Sequence, residues 1–147
     1  MPEKETVDRA NQDLREGKSP STAAGEFVRE EMDHIREGKH GASSPQQAIA
    51  IGLSKARRSG IPLKPQGKTA SQKSEERDYR KGQSGSRKKA SAKRSRASRA
   101  ALKRKPRRAA SAAALSRQAK SAAKKRGATS RKKAAAKATR TRQRRAA

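Results

Sequence analysis

The chain has no cysteine, no tryptophan, a single Tyr and a single Phe. Without Cys there is no disulfide framework, no thiolate zinc cluster and no thiol nucleophile, a usage that fits a reducing compartment. With so few aromatics there is neither a large packed core nor a row of stacking platforms for unpaired bases. No apolar run approaches the roughly 20 residues needed to cross a bilayer, and the acidic start Met1 to Glu5 is unlike a secretory leader. The most consequential absence is acid: beyond Asp78 there is no Asp or Glu.

What fills that space is positive charge. From Tyr79 to Ala147, 69 residues hold 27 Lys or Arg among Ala, Ser, Thr, Gly and Gln, and Leu102 and Leu115 are the only large apolar side chains. The net charge of +28 divides into +1 for residues 1–65 and +27 for residues 66–147. Such a tail buries too little surface to offset the entropy of ordering its backbone, so it is expected to be disordered alone in water. Ala, Lys and Arg nevertheless favour helix, and Pro106 and Gly127 divide the tail into three segments with helix-forming potential, near 90–105, 107–126 and 129–145.

The first third reads differently. Val7, Ala10 and Leu14 recur at helical spacing over 3–16, ahead of Gly17. Ser19 and Pro20 form an N-cap and first-position pair opening a helix to Glu37, and Ala24, Phe27, Val28, Met32 and Ile35 lie on one stripe that also holds Glu31. An acid on an apolar face needs a partner. Ser44, Pro45 and Gln47 announce a third helix over 45–58, in which Ala48, Gly52 and Ala56 make a smooth groove for another helix backbone. Lys55 on the groove's edge is the expected partner of Glu31, and Ile51 is expected to meet Ile61 or Leu63. The words Leu14-Arg15-Glu16-Gly17-Lys18 and Ile35-Arg36-Glu37-Gly38-Lys39 reuse one helix terminator.

The expected fold is therefore mostly α: a small helical domain over 1–63, a flexible linker over 64–89 rich in Gly, Pro, Ser, Lys and Gln, and a basic, histone-like tail over 90–147. With few large apolar residues the head is marginal alone, so dimerisation or a protein partner is expected.

Residues 22–63 carry a Gly38-Lys39-His40 turn and the helix Gln47 to Arg57, QAIAIGLSKAR. In these motifs the segment resembles a small, functionally uncharacterised family of bacterial domains. The resemblance covers under a third of the chain, and implies a bacterial source and a helical hairpin but no activity. The tail is similar in composition to linker-histone tails and to Lys/Ala-rich bacterial histone-like proteins.

Dense mobile positive charge is answered best by nucleic acid. The residues expected to bind phosphates are Arg87, Lys88, Lys89, Lys93, Arg94, Arg96, Arg99, Lys103, Arg104, Lys105, Arg107, Arg108, Arg117, Lys120, Lys124, Lys125, Arg126, Arg131, Lys132, Lys133, Lys137, Arg140, Arg142, Arg144 and Arg145. At one phosphate per about 1.7 Å of duplex axis, the tail's charge neutralises about 14 base pairs, while its extended length is on the order of 230 Å. It can bridge duplexes, so DNA compaction is the expected action. With no rigid reading element, no sequence specificity is expected. An RNA- or ribosome-associated protein, or an adaptor whose head carries the specific function, are the competing readings.

Other features read plainly. His34 and His40 are taken as surface histidines, and neither a metal nor another cofactor is expected. Glu30, Glu31, Asp33 and Glu37 read as a solvated acidic face, not as acid/base machinery. Gly17-Lys18-Ser19 is not a phosphate loop, since Gln12 stands where a glycine is needed. Glu75, Glu76 and Asp78 could fold back on the tail, and Ser95, Ser98 and Ser116 beside basic residues are candidates for phosphorylation. No enzyme activity, small-molecule substrate or membrane partner is expected. The location expected is cytoplasmic and nucleoid-associated in a bacterium, nuclear in a eukaryote.

Overall fold

In the computed structural model, which describes residues 2–65, 71–85 and 91–146 with side chains for all but 71, 72, 145 and 146, every regular element is helical. Helix α1 spans Lys4–Arg15, α2 Pro20–Arg36 and α3 Pro45–Arg58. Each of α2 and α3 begins as its sequence dictates: Ser19 Oγ accepts from the Thr22 amide and Ser44 Oγ from the Gln47 amide, with Pro20 and Pro45 in the first turn. The two copies of the terminator produce the same cap. Lys18 N–H donates to Asp13 O and Lys39 N–H to His34 O, both at 2.9 Å, around Gly17 and Gly38 at positive φ.

These helices surround one small core of Ala10, Ala23, Ala24, Phe27, Ala56 and Ile61, edged by Val7, Leu14, Leu53 and Leu63. Its smallness follows from the groove on α3. Ala48, Gly52 and Ala56 are buried, and a methyl group at Gly52 would lie 2.8 Å from Val28 Cα, so α2 lies against bare backbone. Ile61 enters the Phe27 cluster, with Leu63 against it, because the turn at Gly60 carries the chain back across Ala56, whose carbonyl accepts from Ile61 N–H at 3.2 Å.

Within the expected linker the structure has helix α4, Ser71–Gln83, packed on α3, and residues 66–70 and 86–89 of that linker lie outside the described residues. The cause is electrostatic and steric. Arg57 Nη2 meets Glu75 Oε2 at 3.0 Å, Ser54 Oγ donates to Asp78 at 2.6 Å, and Arg58 Nε lies 4.0 Å from the same carboxylate. Gly82 lies directly against the Arg57 carbonyl, where no larger residue fits. Glu75 and Asp78 thus face the C-terminal end of α3, while Glu76 pairs with Arg80.

Beyond it lie α5, Ala92–Lys103, a 3-10 turn, Arg107–Ala110, α6, Ala112–Lys125, and α7, Gly127–Ala146. The breaks fall at Pro106 and Gly127. Where the sequence reading expects a disordered tail, the described residues are helical, and the reason is propensity: no residue of α5 is buried and every described α7 side chain is exposed. The chain forms two units, 1–111 and 112–147. The first extends well past residue 63 because the segment after α5 belongs to it. Among the described residues, no helix is long and apolar enough to cross a membrane.

Candidate nucleic-acid interface

The basic residues are distributed over three helices and one docked turn. Helix α5 presents Lys93, Arg94, Arg96, Arg99 and Lys103, all exposed. In α6 the i, i+3, i+7 spacing puts Arg117, Lys120 and Lys124 on one face, opposite Leu115 and Ala122, which are partly covered. Lys125 and Arg126 close that helix, both exposed. Helix α7 carries Arg131, Lys132, Lys133, Lys137, Arg140, Arg142, Arg144 and Arg145 around its whole circumference. At 1.5 Å rise per residue, this is one positive charge per roughly 4 Å, close to the phosphate spacing of about 3.4 Å along one DNA strand. Arg87, Lys88 and Lys89 lie outside the described residues, as does the side chain of Arg145. Among the described residues from Ser91 onward, no Lys or Arg is paired with an acid.

One basic stretch is built into the head. Pro106 ends α5, and the chain then lies along the loop between α2 and α3. The Gly41 amide donates to Leu102 O at 2.9 Å and the Ala42 amide to Pro106 O at 3.1 Å. Arg36 Nε donates to Ala110 O, and Ala109 and Ala110 are buried. Gln47 joins the two parts: its Oε1 accepts from Ser43 N–H at 2.8 Å and from Lys105 Nζ at 3.0 Å. Lys105 is therefore half-buried and held, whereas Lys103, Arg104, Arg107 and Arg108 remain exposed. A Cβ on Gly41 would fall on the Lys105 carbonyl, so the loop must have glycine there.

Beneath this loop lies a polar centre. Glu31 is fully buried, with Lys55 Nζ 2.7 Å from its Oε2, the partnership its place on the apolar stripe demands. Lys55 also donates to Glu30 Oε1 at 3.1 Å. Glu30 accepts from the Glu3 amide at 3.0 Å. Burial opposes the charge on Glu30, but the Glu3 amide, Thr6 and Lys55 outweigh it and hold the carboxyl below its ordinary range. Glu3 is likewise lowered, chiefly by His34 and then by Lys39. Glu30 and Glu31 are thus buried where the sequence reading has a solvated face, because Lys55 gives both a cation inside the helix pair. No family profile, curated protein or solved structure matches the chain.

Proposed function

We propose that the protein binds nucleic acid, duplex DNA in the first place, without sequence specificity, and compacts it by neutralising phosphates and bridging strands. A single observation carries this reading: of the expected phosphate-binding residues whose side chains are described, all but Lys105 are exposed, and none has an acidic partner. In free solution the like charges on α5, α6 and α7 repel and loosen these helices, and phosphate neutralisation removes the repulsion, so the tail gains helix on binding. The head acts as an anchor that a second copy or another protein covers. The excess positive charge of the tail holds such a protein, in a bacterium, on the nucleoid.

The reading is tested by competing duplex DNA against structured RNA for the purified protein at about 0.15 M salt, with light scattering to follow condensation. Duplex retained in excess RNA, together with scattering particles, supports it. Preferential transfer to RNA would move the function to an RNA-associated role, and failure to bind either polymer would end it.

A further inference from the structure

The polar centre holds a second constellation that phosphate binding does not use. Glu31, His34 and His40 converge so that one ligand atom from each lies within 4.8 Å of the others. They converge because Glu31 and His34 share a face of α2 at i, i+3, and the Gly38 turn swings His40 back over the helix end. Both imidazoles are largely enclosed, with side chains 13% and 15% exposed. They are not the surface histidines of the sequence reading.

The arrangement of acceptors is unusual. Lys55 occupies Glu31 Oε2, leaving Oε1 directed at His40 Nε2, 3.3 Å away. Neither carboxylate oxygen takes part in an aligned hydrogen bond, although the group is fully buried. His40 Nδ1 faces the Gly41 carbonyl at 3.4 Å, and in the tautomer that donates there Nε2 presents its lone pair on the side of Glu31. In that tautomer two acceptors face each other 3.3 Å apart, an arrangement that a metal ion between them reconciles. The edge of a tetrahedron with metal–ligand bonds of about 2.0–2.1 Å is about 3.3 Å, the spacing of the Glu31–His40 pair, and His34 lies within the wider 4.8 Å limit. His34 is held in the same manner: Nε2 contacts the Glu3 carboxylate at 2.9 Å, while Nδ1 lies on the carboxylate side of α2, 3.9 Å from Glu30 Oε1. An acceptor behind each imidazole is the outer arrangement that orients histidine ligands.

We propose that Glu31 Oε1, His34 and His40 bind a divalent ion of the zinc class, with a fourth position open to water. One carboxylate and two imidazoles favour Zn2+ and its first-row neighbours over Mg2+ or Ca2+, which take oxygen ligands. Lys55 keeps its bond to Glu30, so the ion displaces no cation. Bound there, the metal ties α2 to the loop whose Gly41 and Ala42 amides hold the Leu102–Ala110 segment.

The test is calorimetric titration of Zn2+ into the metal-free full-length chain, with Co2+ absorption as a second readout. A single saturable site is expected, weakened at least about tenfold in His40→Gln and in His34→Gln and unchanged in Asp33→Asn, a half-exposed neighbour paired with Arg36. Far-UV circular dichroism checks that each variant keeps its helix. Should a histidine variant unfold, the Co2+ spectrum of the unaltered protein decides: intense visible bands of a four-coordinate site support the assignment, and the weak spectrum of the hydrated ion overturns it. Absence of saturable Zn2+ binding, or equal affinity in both folded histidine variants, also overturns it.

Discussion

The amide of Gly41 donates to the carbonyl of Leu102 at 2.9 Å, tying the loop between the second and third helices to a segment 61 residues further along the chain. This bond and its neighbour from Ala42 to Pro106 make part of the basic region a structural component of the head. Gly41→Ala places a methyl group on the Lys105 carbonyl and should expel the segment while leaving α1 to α3 folded. Hydrogen exchange at the Gly41-site and Ala42 amides should then accelerate by at least about tenfold. Unchanged protection would mean that the segment is held by other contacts.

Lys55 neutralises two carboxylates on α2 at once. Lys55→Ala leaves Glu30 and Glu31 buried without their cation and should destabilise the head by about 3–5 kcal/mol, enough to unfold a core this small. Glu31→Gln, which leaves Lys55 on Glu30, should cost distinctly less. Urea unfolding followed at 222 nm ranks the two, and the reverse order would contradict the shared-cation arrangement.

The backbone contact at Gly52 sets a size limit. Gly52→Val adds three carbons where even one would lie 2.8 Å from Val28 Cα, and should destabilise by about 1–3 kcal/mol through forced separation of α2 and α3. Ala50→Val, on the exposed face of the same helix, should change stability by under about 0.5 kcal/mol. Equal effects at the two positions would remove the close approach from the account.

Acid should act through Glu3 and Glu30. Both carboxyls are held below their ordinary value of 4.5 in the folded chain, so the unfolded state takes up protons first as pH falls. Their contribution is present in full above that value and is lost as pH drops through the lowered folded values. Urea midpoints should therefore be insensitive to these two groups at neutral pH and fall below about pH 4.5. The decline should be shallower in Glu30→Gln.

Much of the head was legible because its signals are local. Ser19-Pro20 and Ser44-Pro45 place two helix starts, and Gly17, Gly38 and Gly60 three helix ends, by short-range chemistry, and the Ala48-Gly52-Ala56 groove foretells a close helix pair. The partnership of Glu31 with Lys55 followed from one acid on an apolar stripe. What remained illegible depends on long-range packing: α4 reads as linker because its anchoring on α3 rests on Arg57, Arg58 and Gly82, and none of these marks a helix. Nor does the Lys-Pro-Arg-Arg stretch announce a dock, since backbone groups do most of the holding. The His34 and His40 pair, six apart in sequence, shows its relation to Glu31 only once the Gly38 turn is in place.

The central claim is counterion displacement by the exposed basic helices, and the salt dependence of DNA affinity for the full-length chain measures it most directly. The logarithm of the binding constant should fall linearly with the logarithm of salt concentration, by about 0.9 for each phosphate neutralised, so that ten such contacts give a slope near −9. Binding should be nearly abolished in roughly half-molar salt. Affinity that holds steady across that range, or no binding at low ionic strength, would contradict the account.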